Sequence, residues 1–117
     1  MLDQILEEVL SSVKGSEAVI FLDGEGETIA HAGGMAEDIK LLGAWKEIHL
    51  DHIRESSRRL GIGDVRAVFF SLDGGNELLV PVSGEYCLLV FLSASAGVQG
   101  VMAKLKTTVE RLKREVE

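Results

Sequence analysis

The sequence predicts an α+β fold in three layers: a five-stranded, mainly antiparallel sheet with a long helix on one face and two terminal helices on the other. Two apolar runs, 18–22 and 86–92, lack the polar alternation of a half-exposed strand, so both of their faces should be buried. A proline-free stretch from about residue 35 to 60 has helical periodicity and would span roughly 35–40 Å. Amphipathic segments stand at both ends of the 117-residue chain, which we expect to form one domain, 1–117.

The first half of the chain predicts a helix, a β-hairpin and the long helix. Apolar residues recur at three- and four-residue steps before Gly15, a pattern typical of a short amphipathic helix. The segment Asp23-Gly24-Glu25-Gly26 predicts a tight turn between two strands, and Gly61-Ile62-Gly63 predicts the end of the long helix. The predicted elements are a helix over 2–13, strands over 18–22 and 27–31, and a helix over 35–60.

The second half predicts three strands and a last helix. The turn-forming segments Asp73-Gly74-Gly75-Asn76 and Ser83-Gly84-Glu85 separate three apolar runs, which therefore form a meander. Pro81 has no backbone N–H to donate, so we expect a bulge or an early end of the middle strand there. The predicted elements are strands over 65–72, 78–82 and 86–93, and a helix that begins at 97–100 and carries an apolar stripe from Val101 to Val116.

Composition and charge exclude several classes of partner. The chain is 46% hydrophobic and 26% charged, a balance typical of a globular protein, and its net charge of −7 disfavours nucleic acid and anionic membranes. No apolar stretch approaches the ~18 residues of a membrane span, and the acidic N-terminus does not resemble a signal peptide. Cys87, the single cysteine, lies in an apolar run and should be a buried hydrophobe. These features predict a cytoplasmic protein without direct membrane insertion.

The sequence offers no catalytic centre, and we expect no cofactor or metal. The glycines at 24 and 26 are accompanied by no lysine and precede no helix, so they do not form a phosphate-binding loop. His49 and His52 lie one turn apart on the long helix, but no third histidine or cysteine is near them. Arg58 and Arg59 could suggest an arginine finger, although cations at a helix C-terminus ordinarily stabilise its dipole.

The long helix carries more apolar surface than one sheet requires. Met35, Ile39, Leu42, Leu50, Ile53 and Leu60 form a stripe that faces the core. About a third of a turn away lies a second set, which we call the helix band and which consists of Leu41, Trp45, Ile48 and His52. A band that contains the only tryptophan of the chain indicates contact with another molecule, unless the sheet curves enough to cover it.

The strand predicted over 65–72 provides a second apolar surplus. If the first hairpin joins the sheet beside the last strand, this strand lies at an edge, and an apolar edge invites pairing. Pairing of two such edges about a two-fold axis would also place two long helices side by side, so one homodimer would cover both surpluses. The residues expected at this edge are Val65, Ala67, Val68, Phe69 and Phe70.

The whole pattern resembles the roadblock/dynein-light-chain family, over essentially the full chain. The resemblance is carried by the opening helix, the strand and turn 18–26, the helix exit Leu60-Gly61-Ile62-Gly63-Asp64, the strand Leu78-Leu79-Val80-Pro81-Val82 and the small-residue loop 93–97. The loop lacks the asparagine or aspartate often found there in the family. The family has no catalytic residues to carry over.

The resemblance implies a non-catalytic homodimer or heterodimer with one sheet across both subunits. It also implies that the dimer binds a Ras-like small GTPase, as activator or scaffold, or belongs to a motor or membrane-tethered assembly. Bacterial and archaeal members of the family can stimulate hydrolysis by remodelling the GTPase rather than by donating a side chain. Two other functions stay open from the residues: a structural scaffold subunit of a larger assembly, and a profilin-like or sensory domain that binds a small ligand between helix and sheet.

Overall fold

The eight elements follow one another in the predicted order in the computed structural model of the chain. The structure describes the backbone of residues 1–34 and 36–116, and the side chains of these residues except 36–44 and Glu47. The elements are α1 (Leu2–Ser12), β1 (Ser16–Asp23), β2 (Thr28–Gly33), α2 (Ala36–Leu60), β3 (Val68–Leu72), β4 (Gly75–Pro81), β5 (Tyr86–Leu92) and α3 (Val98–Val116).

The five strands form one sheet in the order β2-β1-β5-β4-β3, and every neighbouring pair is antiparallel. The central strands β1 and β5 are buried on both faces, as their unbroken apolar runs predict. The first hairpin joins the sheet beside the last strand, so β2 and β3 are the edges. The predicted fold class is therefore confirmed, including the position of β3.

The helices are distributed over the sheet in the predicted way. α1 and α3 pack on the same face, where Leu6 and Leu112 are fully buried against strand residues such as Phe21. The Lys104 ammonium of α3 donates to the backbone carbonyl of Ser12, 2.7 Å away, at the end of α1. α2 lies on the opposite face, where Leu50 belongs to a separate buried cluster.

Two strand boundaries differ from the predicted ones by three residues. β3 begins at Val68 rather than at residue 65, and β4 begins at Gly75 rather than at residue 78. Leu72 pairs with Gly75, so only Asp73 and Gly74 form the turn, and an Asp-Gly pair favours this two-residue hairpin. β4 ends at Pro81, in agreement with the early end predicted from the missing N–H.

The last turn of α2 departs from the predicted core-facing stripe. Leu50 is fully buried, but Leu60 is 73% exposed, and Met35, Ile39 and Leu42 lie outside the described side chains. The 25 residues of α2 span about 38 Å, whereas the longest strand, at 8 residues, spans about 27 Å. The last turn therefore extends past the sheet, which explains why Leu60 is not buried.

Two local features explain how the chain turns. Asp23 Oδ1 accepts hydrogen bonds from the backbone N–H groups of Glu25, at 2.9 Å, and Glu27, at 3.0 Å, so this segment is the predicted hairpin turn. Gly15 has a φ of +90°, and a Cβ built on it would lie 2.8 Å from Ala96 Cβ. Glycine is therefore required where the chain leaves α1 for β1.

Candidate partner interface

The helix band is exposed wherever its side chains are described. Trp45 is 56% exposed and Ile48 is 47% exposed, and His52 is exposed as well. Leu41 lies outside the described side chains. The sheet therefore does not curve enough to cover Trp45 and Ile48. Burial against the sheet of the same chain does not explain why these two residues are apolar.

The predicted edge residues divide between the two faces of the sheet and its approach segment. Val68 pairs with Leu79, and Phe70 pairs with Glu77. The side chains of Val68 and Phe70 both lie on the face of the sheet that α2 covers. Phe69 pairs with Leu78 and therefore points to the opposite face, where it is 39% exposed. Val65 and Ala67 lie before the first residue of β3 and so do not belong to the strand, and their side chains are partly buried.

Two residues of α2 that neighbour the helix band, Lys46 and His49, contact β3. The ring of His49 is 6.4 Å from that of Phe70, and the Lys46 ammonium lies 4.0 Å from the centre of the Phe70 ring. His49 follows Trp45 by one helical turn, so the exposed band runs along the side of α2 that approaches β3. β3 hydrogen-bonds only with β4 among the described residues, which leaves its outer backbone groups without a strand partner.

A nearly buried ion pair joins α2 to the sheet at the same place. The Lys46 ammonium lies 3.0 Å from Glu77 Oε2, and the side chains are 14% and 8% exposed. The pair is not aligned as a regular hydrogen bond, so the contact is chiefly electrostatic. Lys46 also lies over Phe70, a cation–π contact that helps to hold β3 under the helix.

Sequence reasoning missed Glu77 because β4 was expected to begin after it. The Asp73-Gly74 pair is the signal that could have located it. A two-residue turn at these positions sets the register of the hairpin and pairs Glu77 with Phe70 on the α2 face.

No group of three or more histidine, cysteine, aspartate or glutamate side chains lies close enough to hold a metal ion within the described part of the chain. Arg59 is paired with Glu55 at 2.8 Å, and both side chains are exposed. None of the described helices is long and apolar enough to cross a membrane.

Among the described residues, the two groups whose pKa is clearly shifted lie on the face of the sheet opposite to α2. An ion pair between Glu8 of α1 and Arg111 of α3 lowers the pKa of the glutamate and raises the pKa of the arginine, chiefly through their side-chain hydrogen bond. This pair links the two terminal helices and lies far from the helix band, so it serves their packing.

Comparison with known proteins identifies the architecture. No family model and no curated protein matches the sequence. Among solved structures, a roadblock/LC7 domain from Streptomyces avermitilis superposes with a TM-score of 0.90 at 18% identity, over 97% of this chain and 96% of that one. Myxococcus xanthus MglB superposes with a TM-score of 0.89 at 14% identity, over 98% of this chain and 94% of that one.

A second architecture is similar to a smaller degree. Acanthamoeba castellanii profilin II superposes with a TM-score of 0.71 at 12% identity, with all of both chains covered. Because the roadblock/LC7 domain and MglB described above superpose more closely than profilin II does, the chain has the roadblock fold, in agreement with the resemblance of its sequence.

Proposed function

We propose that this chain is a non-catalytic, cytoplasmic regulator or scaffold that forms a homodimer and binds a Ras-like small GTPase. One observation carries the proposal: α2, which bears the exposed helix band, contacts the apolar strand β3 through His49, and β3 pairs only with β4 within the described part of the sheet. Exposed aromatic and aliphatic side chains next to unpaired backbone groups form a surface suited to another protein chain.

The edge of β3 supports the dimer. Antiparallel pairing of two β3 edges about a two-fold axis continues the sheet from one protomer into its partner. The same operation brings the two α2 helices toward each other on one face, because Lys46 and His49 of α2 contact Phe70 of β3. Trp45 and Ile48 then lie at or beside the seam between the protomers, where burial of their apolar surface stabilises association.

The roadblock fold supports the GTPase as partner. The resemblance of the sequence to this family implies a Ras-like GTPase, and two solved structures that superpose with TM-scores of 0.90 and 0.89 have the same architecture. The paired α2 helices would present to the GTPase the part of the helix band that the seam leaves uncovered, rimmed by the polar residues of the same helices. Such a surface can bind one conformation of a switch region more tightly than another, so binding depends on the nucleotide state.

Stimulation of hydrolysis would act through the residues of the GTPase itself. Arg58 and Arg59 lie about 20 Å along α2 from Trp45, as the rise of 1.5 Å per residue requires. Arg59 is already paired with Glu55. We therefore expect this protein to position the partner's switch residues and not to supply an arginine finger.

The test is a binding titration with Ras-like GTPases encoded in the same genome, each loaded with GDP or a non-hydrolysable GTP analogue. We expect binding that differs between the two nucleotide states and that Trp45→Ala weakens by roughly tenfold or more. Ile62→Ala is the matched control, because Ile62 is also an exposed apolar residue but lies outside the helix band.

Phosphate release measured in the same mixtures tests the mechanism. Arg58→Ala and Arg59→Ala, made singly, should reduce any stimulated rate by far less than the ~1000-fold loss of an arginine finger. Absence of binding in both nucleotide states would contradict the proposal and favour the structural scaffold.

A further inference from the structure

Two adjoining clefts collect positive charge on a chain that is otherwise acidic. The first, of about 650 Å³, lies between the end of α2, the loop before β3, the β4–β5 turn and α3, and the second, of about 610 Å³, runs between α3 and β4. They share Val65, Pro81 and Lys113 and so form one continuous depression, which we call the basic groove. Its cations are Arg54, Arg58, Arg66, Lys106 and Lys113.

The charge of the basic groove contrasts with that of the rest of the chain. Five of the 12 cations and two of the 19 acids, Asp64 and Glu110, are among the described residues that line it. The groove therefore has a formal charge of +3, and the remainder of the chain has −10. Collecting like charges costs free energy through repulsion, so the groove favours a negatively charged ligand that relieves it.

The cations are available to a ligand. Arg54 is fixed in place because it donates to the backbone carbonyl of Ser83 at 3.1 Å, and its side chain is 20% exposed. Among the described residues, the other four cations have no ion-pair partner. Arg58, Arg66, Lys106 and Lys113 are all exposed.

The floor of the groove is apolar and elongated. Val80 and Leu105 are buried beneath it, and Met102 and Val109 are partly exposed. Along α3 the lining runs from Met102 to Lys113, about 16 Å, which is the length of roughly three helical turns. A small phosphate would contact only a few of these groups, whereas a short amphipathic helix would fill the groove with its apolar face.

The surroundings of the groove discriminate between possible partners. An extended polyanion such as nucleic acid, or an anionic membrane, would meet the −10 charge of the remaining surface, so the ligand should be acidic only locally. A second copy could offer the acidic α1, but Leu6 and Val9 of α1 are buried in its own core and cannot enter a groove.

We propose that the basic groove binds a short, acidic, amphipathic helix of a partner protein, with apolar side chains on the floor of the groove and carboxylates against its cations. This site is separate from the helix band, and the proposal does not depend on a GTPase.

The experiment measures fluorescence anisotropy of a labelled helical peptide titrated with the full-length protein at low salt. The peptide has leucines at i, i+3, i+4 and i+7 spacing and glutamates elsewhere. We expect saturable binding that Lys113→Glu weakens about tenfold, because this residue lines both clefts. Lys14→Glu makes the same change in net charge at an exposed position outside the groove and should leave the affinity nearly unchanged.

Two altered peptides test the two halves of the recognition. Replacing the glutamates by glutamine, or the leucines by serine, should abolish binding in each case. Equal binding of the serine peptide would reduce the groove to general attraction for polyanions and overturn the proposal. The proposal is also overturned if the original peptide shows no saturable binding, or if Lys113→Glu and Lys14→Glu reduce its affinity equally. A change in self-association as the only effect of Lys113→Glu would overturn it as well.

Discussion

The two faces of the sheet are completed in different ways. On one face, α1 and α3 bury residues such as Leu6 and Leu112 entirely and are tied together by Glu8 and Arg111. On the other face, the described part of α2 contributes the buried Leu50, but it also has the ion pair to Glu77 and leaves Trp45 exposed. The first face is a closed core. The second face, which we call the unfinished face, is a core that leaves apolar residues exposed at its edge.

This difference indicates where folding ends and assembly begins. Apolar surface that one chain can bury stabilises the monomer, whereas apolar surface left at an edge stabilises only a complex. Substitutions on the two faces should therefore affect different measurable quantities. The comparison fails if both faces respond alike.

The largest effect is expected in the closed core. Leu6→Ala removes a fully buried side chain from α1 and should lower the free energy of unfolding by about 2–5 kcal/mol, because the cavity cannot collapse completely. Urea denaturation at one fixed protein concentration measures this. Leu60→Ala makes the same chemical change at an exposed position and should cost less than about 0.5 kcal/mol. Similar losses in the two variants would contradict the described burial.

Trp45→Ala should act on association instead. In an interface, loss of this ring should weaken association by about 2–4 kcal/mol, while the unfolding of the monomer stays nearly unchanged. Sedimentation equilibrium measures the dimer dissociation constant of Trp45→Ala and of Ile62→Ala. A loss confined to Trp45→Ala shows that the helix band, and not just any exposed apolar residue, contributes to association. If Trp45→Ala leaves association intact but unfolds the monomer readily, Trp45 belongs to the core.

The ion pair between Lys46 and Glu77 should give an intermediate effect. Glu77→Gln leaves the ammonium of Lys46, whose side chain is 14% exposed, without its counter-charge and should cost about 1–3 kcal/mol in the free energy of unfolding, the penalty of an unsatisfied group that keeps some contact with water. Replacing both residues, with Lys46→Met and Glu77→Leu, should recover much of this loss, because neither charge is then left alone. If the loss in the double variant equals the sum of the losses in Lys46→Met and Glu77→Leu made singly, the two side chains are not coupled.

The smallest effect concerns pH and the terminal helices. The pKa of Glu8 is lowered below 4.5 by Arg111, so the stabilisation from this pair is complete at neutral pH and is lost as the pH falls through the lowered pKa. Because both groups are exposed, the effect should be small and should shrink in high salt. Glu8→Gln should flatten this part of the stability profile. An unchanged profile would show that other carboxylates cause the acid sensitivity.

Much of the fold could be predicted from local patterns. The apolar runs of β1 and β5 require burial on both faces, and both strands are buried in this way. The exposure of Trp45 and Ile48 followed from the helical period, because one sheet needs only one apolar stripe. These features depend on residues that are near one another in the sequence.

Features that depend on distant residues could not be predicted in the same way. Arg54 and Lys113 belong to helices on opposite faces, and only the folded chain places them at one groove. Glu77 was missed since its burial depends on the register of a hairpin, and Leu60 was assigned to the core since the period does not show where the sheet ends. Sequence patterns locate faces, but lengths and registers decide which residues those faces cover.

Sedimentation equilibrium of the wild-type protein at micromolar concentration tests most directly whether the unfinished face is an assembly surface. We predict a species of twice the 12.7 kDa chain mass, because pairing of the β3 edges and burial of the helix band both require a second copy. A single species of 12.7 kDa at all concentrations tested would contradict the dimer.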